Sequence, residues 1–257
     1  MNQKGKLALI TGASAGIGEA CAEVFAEEGA NLILLARRKN KLDEISKRIK
    51  QKYKVEILNI ECDVRNRKNV EKSIKELPEK FKNIDILINN AGLARGMNKI
   101  QEGSFDDWDE MLDTNVKGLL NVSRFVLPGM VERKSGHVVN IGSLAGREVY
   151  PNGNVYCSTK YAVKAISKGM LIDLNGTGIR VTNLDPGLVE TEFSEVRFRG
   201  DTKRAKSIYQ GYIPLTSRDI AEVALFCVTR PKHVTIQDIL ITPTDQATAM
   251  ILNKKVL

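Results

Sequence analysis

Short apolar runs recur along the chain at residues 6–10, 31–36, 55–60, 85–88, 136–142, 179–184 and 237–242. Several are near-continuous, such as Leu32-Ile33-Leu34-Leu35, rather than alternating apolar with polar. That is the pattern of strands covered on both faces, as in parallel sheets. Between these runs, residues 17–28, 39–52, 68–81, 105–132, 155–175 and 218–229 carry apolar side chains at helical spacing. Strand and helix alternate throughout, which predicts a parallel sheet with helices on both faces. The right-handed sense of such crossovers narrows this to an α/β, doubly wound sheet. Seven strands are expected, in a single domain over 1–257, because no linker, repeat or low-complexity tract interrupts the rhythm. One segment does break it. Residues 192–212 are polar and basic and fall between the sixth strand and the last helix. An insertion at the carboxyl end of a strand is expected to form a lid or binding loop.

Composition changes this picture little. With 42% hydrophobic and 27% charged residues, the chain reads as a soluble globular protein. No run approaches the roughly 20 apolar residues of a membrane span. The opening MNQKGKLALITGAS is interrupted by Thr11-Gly12 too early for a signal peptide, so a cytoplasmic location is expected. The four cysteines are far apart and there are only two histidines, so no metal site is expected. His137 falls in an expected buried strand, where a structural role suits it. The net charge of +8 raises nucleic acid as a partner. The basic residues are interleaved with acids, however, as in 39–52 and 65–80, which describes solvated helix faces. Neither nucleic acid nor membrane is expected as a partner.

The first strand runs straight into Thr11-Gly12-Ala13-Ser14-Ala15-Gly16-Ile17-Gly18, with glycines spaced GxxxGxG. Positions without side chains permit a tight turn and let backbone approach a pyrophosphate. The helix that follows offers free N–H groups to that anion. A plain strand–turn–helix is the alternative, but here the turn both follows a predicted strand and opens a predicted helix, the context dinucleotide binding needs. Gly12, Ser14, Ala15, Gly16, Ile17 and Gly18 are therefore expected at a cofactor, and the sheet is expected to be Rossmann-type. NAD-binding folds place an acid after the second strand to hold the ribose. This chain has Ala36-Arg37-Arg38 there. Guanidiniums suit a 2′-phosphate, so NADP(H) is the expected cofactor.

Of six tyrosines, only Tyr156 is followed four residues later by a lysine, Lys160. On a helix the two share a face. A neighbouring ammonium favours a phenolate and is expected to lower the tyrosine's ordinary value of ~10. Tyr156 then becomes a general acid or base. Ser143, just past the fifth strand, has a hydroxyl to offer the substrate oxygen.

These motifs together resemble the short-chain dehydrogenase/reductase family over nearly the whole chain. TGASAGIG resembles its cofactor turn, and Asn89-Asn90-Ala91-Gly92 its element after the fourth strand. The resemblance implies that Asp63 and Val64 contact adenine and that Asn90, Ala91 and Gly92 line the cofactor. It implies that Pro186, Gly187, Val189 and Thr191 meet the nicotinamide end. It also implies a catalytic set of Ser143, Tyr156, Lys160 and Asn115. Tyr156 exchanges the proton, Ser143 holds the substrate oxygen, Lys160 contacts the nicotinamide ribose, and Asn115 holds a water that relays protons from Lys160.

Further stretches, Gly146–Pro151, Pro186–Ser194, Val196–Gly200 and Pro243–Ala247, are similar to those of NADP-dependent 3-hydroxy acid dehydrogenases acting on serine and L-allo-threonine. That resemblance implies a homotetramer. A hydroxy acid brings a carboxylate, which an arginine near Ser143 would bind. By position Arg147 is the first candidate, followed by Arg197 and Arg199. The alternatives are a 3-oxoacyl carrier-protein reductase, a sugar-alcohol dehydrogenase or a carbonyl reductase of the same fold, and, from another class, a non-catalytic NADP sensor.

Overall fold

The computed structural model describes residues 2–254. The strands are β1 (Leu7–Thr11), β2 (Asn31–Ala36), β3 (Ile57–Glu61), β4 (Ile86–Asn89), β5 (Gly136–Ile141), β6 (Ile179–Pro186) and β7 (Asp238–Ile241). They form one seven-stranded sheet in the order β3-β2-β1-β4-β5-β6-β7. Every neighbouring pair is parallel. The helices are α1 (Gly16–Glu27), α2 (Lys39–Lys52), α3 (Arg67–Lys75), α4 (Phe105–Leu112), α5 (Leu119–Glu132), α6 (Asn154–Asp173), α7 (Phe193–Arg197), α8 (Thr202–Ser207) and α9 (Ser217–Val228).

Alternation along each strand divides the core in two. Ala8, Ile10, Leu32 and Leu34 pack on one face with Phe25 of α1 and Leu225 of α9. Leu9, Ile33 and Leu87 pack on the other with Val122 and Met130 of α5. Strand order reverses between β1 and β4, so a crevice opens at the carboxyl ends of those strands. Among the described residues, no helix is long and apolar enough to cross a membrane.

Two expected helices are corrected. The helix expected over 68–81 ends at Lys75, and a separate short turn covers Glu79–Phe81. Pro78 is the reason: its ring disfavours helical backbone at Leu77 and it has no N–H to donate. The helix expected over 105–132 is two helices joined by a π-helical turn, Asp113–Gly118, which contains Asn115. Such turns insert one residue into the helical repeat and re-aim a side chain.

Candidate active site

The turn after β1 is made mostly by main chain. Thr11 Oγ1 accepts the N–H groups of Asn90 and Ala91, both at 3.0 Å. Asn90 Nδ2 donates back to the carbonyls of Thr11 and Gly12 at 3.0 and 3.2 Å. The turn is thereby pressed against the end of β4. Gly12 has φ +64°, and a Cβ there would lie 2.9 Å from the Ala91 Cα. A Cβ on Gly18 would lie 2.4 Å from the Gly12 carbonyl oxygen. No side chain caps the first turn of α1. Its N–H groups are left for an anion, which fits a pyrophosphate.

A cavity of about 880 Å³ runs from this turn to Tyr156. Gly12, Ser14, Ala15, Gly16 and Ile17 line it, and Arg37, Arg38, Asp63 and Val64 close one end. Gly18 lies behind the turn. Asn90, Ala91 and Gly92 form the middle, and Ser143, Tyr156, Lys160, Pro186, Gly187, Val189 and Thr191 the far end. Arg38 Nε and Nη2 donate to Ser14 Oγ and to its carbonyl, each at 3.2 Å, so guanidinium and hydroxyl stand side by side where a 2′-phosphate would lie. Arg38 also meets Glu192 at 3.1 Å, and Asp63 is taken up by Arg65.

Tyr156 is 7% exposed and lies on α6 beneath Phe193, with ring centroids 5.6 Å apart. Burial pushes its phenol above the ordinary value; the nearby Tyr150 adds to this, while Ser143 and the Arg197 charge oppose it. The expected lowering by Lys160 is therefore corrected: in the protein alone burial prevails, and Tyr156 holds its proton. Lys160 is buried as well, with Nζ 6.0 Å from the Tyr156 ring centroid and donating to the Ile141 carbonyl at 2.9 Å. Burial lowers its ammonium to about 8, and Asp185 opposes that shift. Ser143 Oγ accepts the Ala145 N–H at 3.1 Å, which leaves its own proton to donate. Asn115 Oδ1 accepts the Leu93 N–H, while Nδ2 donates to the Leu93 carbonyl and to Thr159 Oγ1. Both its donors are therefore engaged, and its side chain holds the loop after β4.

Residues 6–201 match the short chain dehydrogenase family. The chain belongs to that family. Among relatives of this dehydrogenase, the NADP-dependent 3-hydroxy acid dehydrogenase of Schizosaccharomyces pombe is 45% identical over 252 residues, covering 98% of this chain and 97% of that one. Sulfoacetaldehyde reductase 2 of Chromohalobacter salexigens is 41% identical and covers 94% and 95%. A solved structure described as the closed form of serine dehydrogenase complexed with NADP+ superposes with a TM-score of 0.90 at 43% identity, covering 97% of this chain and 100% of its own.

The arginines of this dehydrogenase do not fall in the expected order. Arg147 is outside the cavity wall, because its guanidinium is engaged by Asp185 at 2.7 Å and Asp238 at 2.5 Å. Arg199 turns away to pair with Asp107 on α4. Arg197 is the one that lines the cavity beside Tyr156, its guanidinium carbon 5.4 Å from that ring. Nη2 donates to the Tyr150 hydroxyl at 2.9 Å and Nε to the Gly96 carbonyl at 3.2 Å.

Sequence reasoning gave no role to several residues of this wall. Arg95 ties Glu110 to the Val196 carbonyl at 2.6 Å for both contacts. Gln246 Oε1 accepts the Leu188 N–H at 2.8 Å. Thr114 presents a buried hydroxyl with no protein partner at the cavity. Besides Arg197, residues 193–209 supply Phe193, Ser194, Val196, Ile208 and Tyr209, and Leu252 and Lys254 reach the wall from near the carboxyl end. A local motif flags none of these; Arg95 and Gln246, for example, are held by partners distant in sequence.

Proposed function

We propose that this protein is an NADP-dependent dehydrogenase that transfers a hydride between the nicotinamide and the β-hydroxyl, or the corresponding carbonyl, of a small 3-hydroxy acid. The observation that carries this reading is Arg197. It is 9% exposed, and its side chain donates only to the neutral Gly96 carbonyl and Tyr150 hydroxyl oxygens; none of the ion pairs among the described residues includes it. A guanidinium buried without a counter-ion is costly, and a substrate carboxylate beside Tyr156 would supply one. The names of its relatives support an anionic substrate, since a hydroxy acid carries a carboxylate and sulfoacetaldehyde a sulfonate. The Ser14–Arg38 pair and the lack of an acid after β2 support the 2′-phosphate.

When bound, NADP(H) supplies or accepts the hydride. Arg197 holds the acid group, and the Tyr150 hydroxyl steadies its fork. Ser143 donates to the substrate oxygen. Tyr156, protonated because it is buried, gives its proton to that oxygen during reduction and must lose it before oxidation. Oxidation therefore gains from rising pH and reduction does not. Lys160 holds the ribose and brings positive charge to the phenol, a role its position beside Gly92 and Tyr156 supports, with protons passed along the Asn115 side of the site. Residues 192–212 act as the lid. Apolar side chains left exposed on α4, α5 and α6, namely Phe105, Leu112, Leu120 and Ile172, support self-association into a homotetramer, and a cytoplasmic location fits free, reduced thiols.

The test is the initial rate of NADP reduction with 3-hydroxybutyrate, L-serine and L-allo-threonine, each repeated with NAD. Turnover with NADP and little with NAD is expected. Activity confined to an acetoacetyl thioester or a simple ketone would reject the hydroxy-acid reading.

A further inference from the structure

A buried charge lies directly behind Ser143. Asp185, near the end of β6, has no solvent exposure. Its Oδ1 accepts the Ser143 N–H at 2.9 Å, and its Oδ2 accepts Arg147 Nε at 2.7 Å and Asn183 Nδ2 at 2.9 Å. Arg147 continues to Asp238 on β7, which also accepts from Asn183. The fit against the chain leaving β5 is close: a Cβ on Gly142 would lie 1.9 Å from Asp185 Oδ1. One residue after Asp185, Pro186 and Gly187 form the cavity wall.

As a device for stability this is a poor choice. Removing both charges from water offsets much of their attraction, and apolar residues of equal volume often serve as well. An ion pair provides what apolar packing does not, a directed acceptor for one chosen N–H. We propose that Asp185 is a positioning residue for Ser143: its carboxylate fixes the Ser143 peptide so that the hydroxyl meets the substrate oxygen, and Arg147 is the clamp that orients the carboxylate. This rests on the role of Ser143 in the reading above. The Asp185 charge also reaches Lys160, where it opposes the effect of burial on the ammonium.

The experiment is a double-mutant cycle on NADPH-dependent reduction of butane-2,3-dione, a diketone with no carboxylate, so that Arg197 plays no part. Asp185→Asn is expected to lower kcat on the order of 10- to 100-fold, the scale of a misplaced catalytic group. Its Kd for NADPH, read by fluorescence, stays unchanged. In a Ser143→Ala background the same substitution adds little, because residues acting as one unit are not additive. Losses that multiply, or a wild-type kcat in Asp185→Asn, would overturn the proposal. Arg147→Lys covers the case in which Asp185→Asn does not fold. It is expected to show a smaller loss with the same non-additivity, and full activity there would overturn the clamp and the positioning role with it. A wild type that turns over 3-hydroxy acids but not the diketone carries the same cycle on 3-hydroxybutyrate oxidation, and one inactive on both removes the role of Ser143 and the proposal together. Inactivity on 3-hydroxy acids alone strikes only the substrate reading.

Discussion

At one end of the cavity, Thr11, Gly12 and Asn90 are joined by hydrogen bonds in which main chain takes part every time, between two neighbouring central strands. At the other end, Tyr150 and Arg197 meet from 47 residues apart through side-chain atoms, Arg38 and Arg95 reach the 192–212 segment from the frame, and Arg199 reaches out of that segment to Asp107. The first end tolerates little beyond glycine where backbone meets backbone. The second is a set of pairings, each replaceable by another pair that spans the same gap. On the proposed reading, cofactor recognition is thereby tied to the fold itself, while substrate recognition is a property of individual side chains resting on it.

Four measurements break or sharpen that contrast. Gly18→Ala places a methyl against the Gly12 carbonyl and should bring the largest effect. NADPH affinity, measured by fluorescence titration, is expected to fall on the order of 100-fold or to be lost with the fold, since main chain has nowhere to go. Arg197→Ala should leave NADPH binding intact and raise KM for a 3-hydroxy acid about 30-fold, the scale of about 2 kcal/mol for a buried charge partner. An unchanged KM would release Arg197 from the acid group. Arg38→Ala should lower the preference for NADP over NAD about tenfold, as expected for one charge-assisted contact, with kcat on NAD retained.

The last measurement concerns the frame alone. His137 on β5 has its pKa lowered to about 3, first by burial and then by Arg180. A depressed histidine binds its proton in the unfolded chain before it does so in the folded one. Its neutral form therefore favours folding above about 6.5, and that contribution is lost as pH falls towards 3, with a slope of up to ~1.4 kcal/mol per pH unit. Urea unfolding between pH 7 and 5 should show this slope, reduced by about one proton in His137→Gln. Equal slopes would assign the acid sensitivity to other groups.

The elements that sequence alone exposes are those set by local spacing. The glycine turn, the Tyr156–Lys160 pair and the double-covered strands each declare themselves within a few residues. Arg147 and Arg197 show where that stops. Both lie close in sequence to cavity residues, and position alone ranks Arg147 ahead of Arg197 as the holder of a carboxylate. Which of them is free for a substrate is decided by Asp185 and Asp238, 38 and 91 residues from Arg147. The ionisation of Tyr156 is illegible for a related reason: spacing puts an ammonium nearby, but how much water is removed depends on Phe193, which packs on the ring from 37 residues away. The break before Pro78 was written in the chain, and the continuous helical pattern masked it. The π-turn at Asn115 carries no comparable local mark.

The 192–212 segment joins the frame through a handful of hydrogen bonds and ion pairs, among them the Gly96 N–H to the Arg197 carbonyl, and contributes no strand to the sheet. In evolutionary terms it is a cassette. A lineage exchanging it keeps its coenzyme, its hydride donor and its sheet, and changes the molecules it acts upon. Descendants of one ancestor are thus free to diverge in diet while sharing a common currency of reducing power.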